Sequence, residues 1–192
     1  MAIVCIMICV PVTAECMPES ASVARWFNRN AQYVVAAALS VMVADGDHSR
    51  TAAGSCVDGM IMSLAASELL KQVTAQPRPR DPGARDGFPS SHSAVGFAFA
   101  RSISDWDRNA GLAAYAFAGT LGWARIESGH HTVEQVIAGA ALGLWLAGAS
   151  VEADGFLISA EEYAVEELGA DQRGMSTFTT GSLSFPLLEV QW

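Results

Sequence analysis

Residues 71–92 of this chain read KQVTAQPRPRDPGARDGFPSSH. The prolines at 77, 79, 82 and 89 rule out a helix here, because each removes a backbone N–H and its ring clashes with the preceding turn. The segment is a loop, and what flanks it decides the fold. Upstream, VDGMIMSLAASELLKQVT (57–74) reads as a helix carrying Lys71 near its C-terminal end, where a cation suits the helix dipole. Downstream, SSHSAVGFAFARSI (90–103) opens a new helix with Ser90 or Ser91 as its N-cap. RNAGLAAYAFAGTLGWARI (108–126) and TVEQVIAGAALGLWLAGASV (132–151) follow as helices dense in Ala and Gly. SASVARWFNRNAQYVVAAALSVMVA (20–44) precedes them, broken off by DGDHSR (45–50). Small residues at that density let helices approach closely, in water or in a bilayer. The pattern predicts an all-α helical bundle forming a single domain over residues 15–192.

The longest uncharged stretch of the fifth helix, Val136 to Val151, has 16 residues, short of the ~20 that span hydrocarbon, so buried core helices are expected. Met60, Met62, Trp123 and Trp145 fall on these apolar helices and are expected in the core. The tail changes character: residues 160–174 are acidic, and STFTTGSLSFPLLEVQW (176–192) suggests a short terminal β hairpin or strand.

Half the residues are hydrophobic and 16% are charged, with a formal charge of −9. That balance argues against nucleic acid as a partner, since phosphate-backbone binding needs a basic face. Lys71 is the only lysine among eleven cationic side chains, which singles out its neighbourhood. The first residues form an apolar run to Val12 ending in Val12-Thr13-Ala14, a small-residue pattern that predicts a signal peptide over residues 1–14 and export to the periplasm or beyond. The basic segment that usually opens such a peptide is missing, so a short membrane-touching helix is the alternative, with integral or peripheral membrane placement. Cleavage would leave Cys16 and Cys56, enough for one disulfide in an oxidising compartment.

Three polar clusters punctuate this apolar chain: Lys71 with Arg78 and Pro79; Pro89-Ser90-Ser91-His92; and Arg125 followed by His131 and Gln135. Together they supply what a tetrahedral phosphate needs. Guanidinium and ammonium groups meet its charge, and a helix opening at Ser90–Ser91 offers free N–H groups and hydroxyls to its oxygens. Two histidines then divide the chemistry. One attacks phosphorus as a neutral imidazole, and the other protonates the leaving alkoxide and later deprotonates water.

The order and spacing resemble the type 2 phosphatidic acid phosphatase superfamily, which includes lipid phosphatases, bacterial class A acid phosphatases and vanadium haloperoxidases. Its pattern is Lys-x6-Arg-Pro, then Pro-Ser-Gly-His, then Ser-Arg-x5-His-x3-Asp. The first motif is intact as Lys71, Arg78 and Pro79; in the second Ser91 takes the glycine place; in the third Ala124 and Gln135 replace the leading serine and the closing aspartate. Ser-Ser-His and a glutamine after the histidine resemble the dolichyl-diphosphate phosphatase branch.

The resemblance implies a metal-independent phosphatase acting on phosphate monoesters or diphosphates, soluble or lipid-linked. It further implies His131 as nucleophile, His92 as general acid, and Lys71, Arg78, Ser90, Ser91 and Arg125 as phosphate ligands. Gln135 would orient His131 as the family aspartate does but without its charge, which predicts slower turnover unless Glu134 swings in.

The same residues carry other readings. Thr132 to Gln135 is also a Thr-x-x-Gln capping box at a helix start. The Arg125 spacing of the family selects His131 and leaves His130 as a loop residue. His131 with Glu134 makes half of a zinc motif, but there is no second His at i+4 and the cysteines lack ligand spacing, so neither a metal nor an organic cofactor is expected. Asp45-Gly46-Asp47-His48 reads as a solvated turn. Arg80, Arg85 and Asp86 read as a solvated loop above the site or as a substrate gate. A vanadate-dependent haloperoxidase would hold vanadate on His131 in the same anion seat, and a catalytically weakened binding or structural member would keep the fold alone.

Overall fold

Five helices form in the order α1 (Ser20–Ala44), α2 (Asp47–Thr74), α3 (Ser91–Trp106), α4 (Arg108–Glu127) and α5 (Val133–Glu152). The computed structural model describes residues 20–153 and residue 155, which belong to the unit Met1–Ala160. The expected signal peptide over residues 1–14, Cys16 and the expected C-terminal hairpin lie outside the described residues. The all-α expectation holds, with no strand among the described residues.

The helix α2 starts at Asp47, ten residues before the expected Val57. The break shrinks to Asp45 and Gly46, because Gly46 turns the chain at φ 119°, a backbone conformation open to glycine, and HSRTAAGSC holds no proline to stop a helix. At the other joints the caps are as the residues suggest. Asp107 accepts from the N–H groups of Asn109 and Ala110 to open α4. Thr132 and Gln135 form a reciprocal capping box that opens α5.

The centre of the bundle is α3, packed against α2, α4 and α5, while α1 lies on α4 and α2. Glycines set the approach of α5. A methyl at Gly143 would overlap the Ala94 carbonyl oxygen, and one at Gly139 would overlap that of Ser90. With no side chain between them, the helix backbones come into direct contact. Phe99, Ile103, Met42 and Cys56 fill the core between α1, α2 and α3 and are fully buried. The inner face of α2 stays narrow because Ser63 and Ser67 turn their hydroxyls onto the carbonyls of Gly59 and Ser63.

The expectation of wholly buried apolar helices is corrected. Trp123 and Trp145 are 38% and 66% exposed, while Met60 packs against the core. The segments Ser49–Thr74 and Val133–Glu152, 26 and 20 residues long, are long and apolar enough to cross a membrane. Only 39% and 33% of their most apolar windows are buried within the described structure. In the second of these segments Glu134 and Glu152 sit near the two ends of a helix that rises about 30 Å, so its charges flank the apolar length.

Candidate active site

The last turn of α2, the start of α3, the end of α4 and the start of α5 meet at one end of the bundle. The Ser90 N–H donates to the Gln135 carbonyl at 2.9 Å, which ties the openings of α3 and α5 together. Gly139 makes that contact sterically possible. The loop between α2 and α3 crosses this end and is tethered to the α4–α5 turn, where the Arg80 N–H donates to the Gly129 carbonyl at 3.0 Å.

Below the loop lies a cleft of about 580 Å³ whose walls include Lys71, Arg78, Ser91, His92, Arg125 and His131. Side chains of all three motifs, from Lys71 to His131, therefore face one space. Lys71, Ser91, Arg125 and His131 are buried, at 8%, 7%, 6% and 2% exposure. His92 is solvent-accessible but recessed in the cleft.

The buried imidazole of His131 is held at one nitrogen. Its Nδ1 lies 2.9 Å from the Gly87 carbonyl and 3.1 Å from Gln135 Oε1. Both are acceptors, so Nδ1 carries the proton and donates, which leaves Nε2 with its lone pair. The Gln135 amide is itself fixed: Oε1 accepts from the Thr132 N–H at 3.2 Å, and Nε2 donates to the Pro77 carbonyl at 3.1 Å. One side chain thus caps α5 and orients His131. A carboxylate could not make the bond to Pro77.

Burial pushes the His131 ring down to about 4; the bonds to Gln135 and Gly87 act the other way, and the charges of Arg125 and Arg78 add to the lowering. His92 is also pushed down to about 4, by its recessed position first and then by Arg125, His131, Lys71 and Arg78. Both rings are neutral at pH 7. Burial, with Arg78 nearby, pushes Arg125 down to about 10, so it stays protonated.

The three cations differ in their company. Lys71 Nζ donates to Glu68 Oε1 at 2.7 Å. Arg78 forks onto Asp86 at 2.8 and 2.6 Å, and that bonding holds the Asp86 carboxyl below the usual carboxylate range. Arg125 has only a neutral partner: its Nη1 donates to Asn28 Oδ1 at 3.3 Å, and its buried Nε has no partner among the described residues. A buried guanidinium with an open donor is costly unless a ligand completes it.

The remaining expected ligands divide. Ser91 lines the cleft and donates its hydroxyl to Glu68 at 2.9 Å. Ser90 is fully buried as the α3 N-cap, its hydroxyl engaged with Ser93 at 3.1 Å, and it does not line the cleft. His130 lies outside the cleft with its Nδ1 2.9 Å from the Ser128 hydroxyl. Arg80, Asp81, Asp86 and His130 line a separate surface hollow reached by the other side of Arg78.

Comparison with family models matches residues 52–156 to the PAP2 superfamily. The chain belongs to the PAP2 superfamily. Among solved structures it is similar to Aquifex aeolicus LpxE, with a TM-score of 0.61 and 18% identity over 79% of this chain and 93% of that one. That likeness shows the fold. No curated protein matches.

The PAP2 match begins inside α2 and leaves α1 outside, and α1 supplies a residue that motif reasoning missed. Asn28 accepts from Arg125 and donates to the Ser128 hydroxyl at 3.0 Å, so it braces the guanidinium across 97 residues of chain. No local signal marks it. Gly87 was also missed: it is buried, its carbonyl takes the His131 proton, and a methyl there would run into the Pro77 carbonyl and Gln135 Nε2. Glu68, three residues before Lys71, was legible as a helical ion pair.

Proposed function

We propose that this protein is a phosphatase that releases phosphate from an ester or diphosphate borne on an apolar chain, through a phosphohistidine at His131. The observation that carries this reading is Arg125, buried with an open Nε beside a neutral imidazole whose Nε2 lone pair is free. Phosphate seats on Arg125, Lys71, Arg78, Ser91 and the first amides of α3. In this reading the side-chain cations Arg125, Lys71 and Arg78, which line the cleft, meet the phosphate charge.

His131 Nε2 attacks phosphorus, the bond to the leaving oxygen breaks, and His92 delivers a proton to that oxygen. In the free cleft burial first, and then the surrounding cations, lower the proton affinity of His92; bound phosphate offsets the cations and so raises it, which suits His92 to act as the acid. Neutral His92 then takes a proton from water as the water attacks the phosphohistidine, and phosphate leaves with Nε2 restored.

The apolar part of the substrate follows from the rest of the cleft. Beyond the seat its wall runs along Leu64 and Met60 of α2, Val35 and Leu39 of α1, and Phe117 of α4. From Lys71 to Met60 is eleven residues of helix, about 16 Å, close to half the ~30 Å hydrocarbon core of a bilayer. With apolar faces of α2 and α5 outward, the seat lies at headgroup depth and the slot runs along a lipid chain.

The test is phosphate release in EDTA from alkyl and polyprenyl phosphates and from soluble sugar phosphates, beside His131→Ala and His92→Ala. Long-chain esters are expected to turn over best, with His131→Ala inactive and trapping no labelled phosphate. Chelator-sensitive turnover, turnover surviving His131→Ala, or halide oxidation with vanadate in place of phosphate release would overturn the reading.

A further inference from the structure

Glu68 touches the seat in a way the mechanism does not use. One oxygen, Oε1, accepts from Lys71 Nζ at 2.7 Å and from the Ser91 hydroxyl at 2.9 Å. The two donors come from different helices, α2 and α3, and both line the cleft. Donors that converge on one point from separate elements define an oxygen site. Here a carboxylate of the chain itself fills it.

Resting on the phosphatase reading, we propose that Glu68 is a built-in competitor, holding the place of a phosphate oxygen at Lys71 and Ser91 until substrate displaces it. Several features favour competition over mere support of Lys71. The Glu68 side chain is 53% exposed while that of Lys71 is 10% exposed, so the carboxylate can swing into solvent and the ammonium cannot. Lys71 is already placed by the α2 backbone, whose last turn carries the αL cap at Ala75 bonded to the Lys71 carbonyl. Arg78 shows the same arrangement, its fork closed by Asp86, which is 49% exposed. Arg125 alone of the three cations faces the cleft with no carboxylate partner among the described residues.

The consequence is a two-step seat. Substrate first meets Arg125 and then exchanges for Glu68. An anion no more charged than a carboxylate gains little by that exchange, so Glu68 also biases the seat toward doubly charged phosphate. Apparent affinity is reduced by the fraction of molecules in which the seat is open. An exposed ion pair with one added hydrogen bond sets that factor at roughly three- to tenfold.

Glu68→Gln and Glu68→Ala test this by KM for a long-chain alkyl phosphate, Ki for inorganic phosphate, and direct calorimetric binding of inorganic phosphate. All three constants are expected to fall, by about three- to tenfold, and the preference for phosphate over singly charged methyl sulfate is expected to narrow. A rise in these constants would mean that Glu68 only positions Lys71 and would overturn the proposal; so would no change. Lys71→Met is expected to abolish the effect of Glu68→Gln on phosphate binding, and an effect that persists would place Glu68 elsewhere. If the wild type releases no phosphate from any ester, the phosphatase reading fails, while the calorimetric arm still decides the role of Glu68.

Discussion

Replacing Gln135 with Leu separates its two jobs. The substitution keeps volume and removes the acceptor that Oε1 offers to His131 and Thr132 and the donor that Nε2 offers to Pro77. Were Gln135 the sole group setting the His131 tautomer, the loss of rate would approach the ~10⁴-fold seen when a triad histidine is held in the wrong tautomer. The Gly87 carbonyl at 2.9 Å keeps the Nδ1 proton, so what is lost is one neutral hydrogen bond of two. At about 0.5–1.5 kcal/mol per bond, kcat should fall roughly two- to twelvefold. Stability should fall by about 1–3 kcal/mol, since Pro77 O and Thr132 N–H lose their partner at a buried site.

The assay is phosphate release under saturating alkyl phosphate, with thermal denaturation of the same preparation. A fall of ~10³-fold or more in a folded variant would refute the shared-acceptor geometry. An unchanged kcat would reduce Gln135 to a helix cap. Gln135→Glu provides the sign check: a carboxylate beside His131 favours the protonated ring, so its pKa rises from about 4 and the acid limb of kcat/KM moves to higher pH. The same variant turns an oxygen toward Pro77 O where Nε2 now donates, so its melting temperature should fall.

For the unmodified protein, kcat/KM should fall as pH drops through about 4, because His131 must be neutral to attack and burial delays its protonation; a limb near 6.5 would show an unperturbed ring. Arg125→Lys should cost about 10²–10³ in kcat/KM, since an ammonium offers no fork where Nε is open, and a loss under threefold would remove Arg125 from the seat. Asn28→Ala should raise KM several-fold by freeing that guanidinium without touching the phosphate, whereas an unmoved KM would show that Arg125 needs no brace. Gly143→Ala should destabilise the chain by about 1–3 kcal/mol or more, measured by thermal or chemical denaturation, because its methyl meets the Ala94 backbone and not a flexible side chain.

Helix boundaries were legible wherever a local device sets them: Ser90 and Thr132 as caps, the prolines of 77–89 as a barrier, Ala- and Gly-rich faces for close packing. The start of α2 is the exception, because a two-residue turn at Gly46 leaves a weaker mark in the sequence than a proline run. The three motifs were legible as spacing, and the tertiary structure brings six of their side chains to one cleft.

What the sequence determined alone is therefore the inventory: which residues carry charge and lone pairs, and where helices start and stop. Those depend on dihedral preferences and caps within a few residues. Only the packed structure decided which of them serve the cleft. It turned the Ser90 hydroxyl inward, brought Asn28 to Arg125 and Gly87 to His131, closed Lys71 on Glu68, and left Trp145 outside. Such choices depend on how closely α5 seats against α3 and how α1 lies on α4, distances set by groups far apart in the chain, which no local pattern encodes.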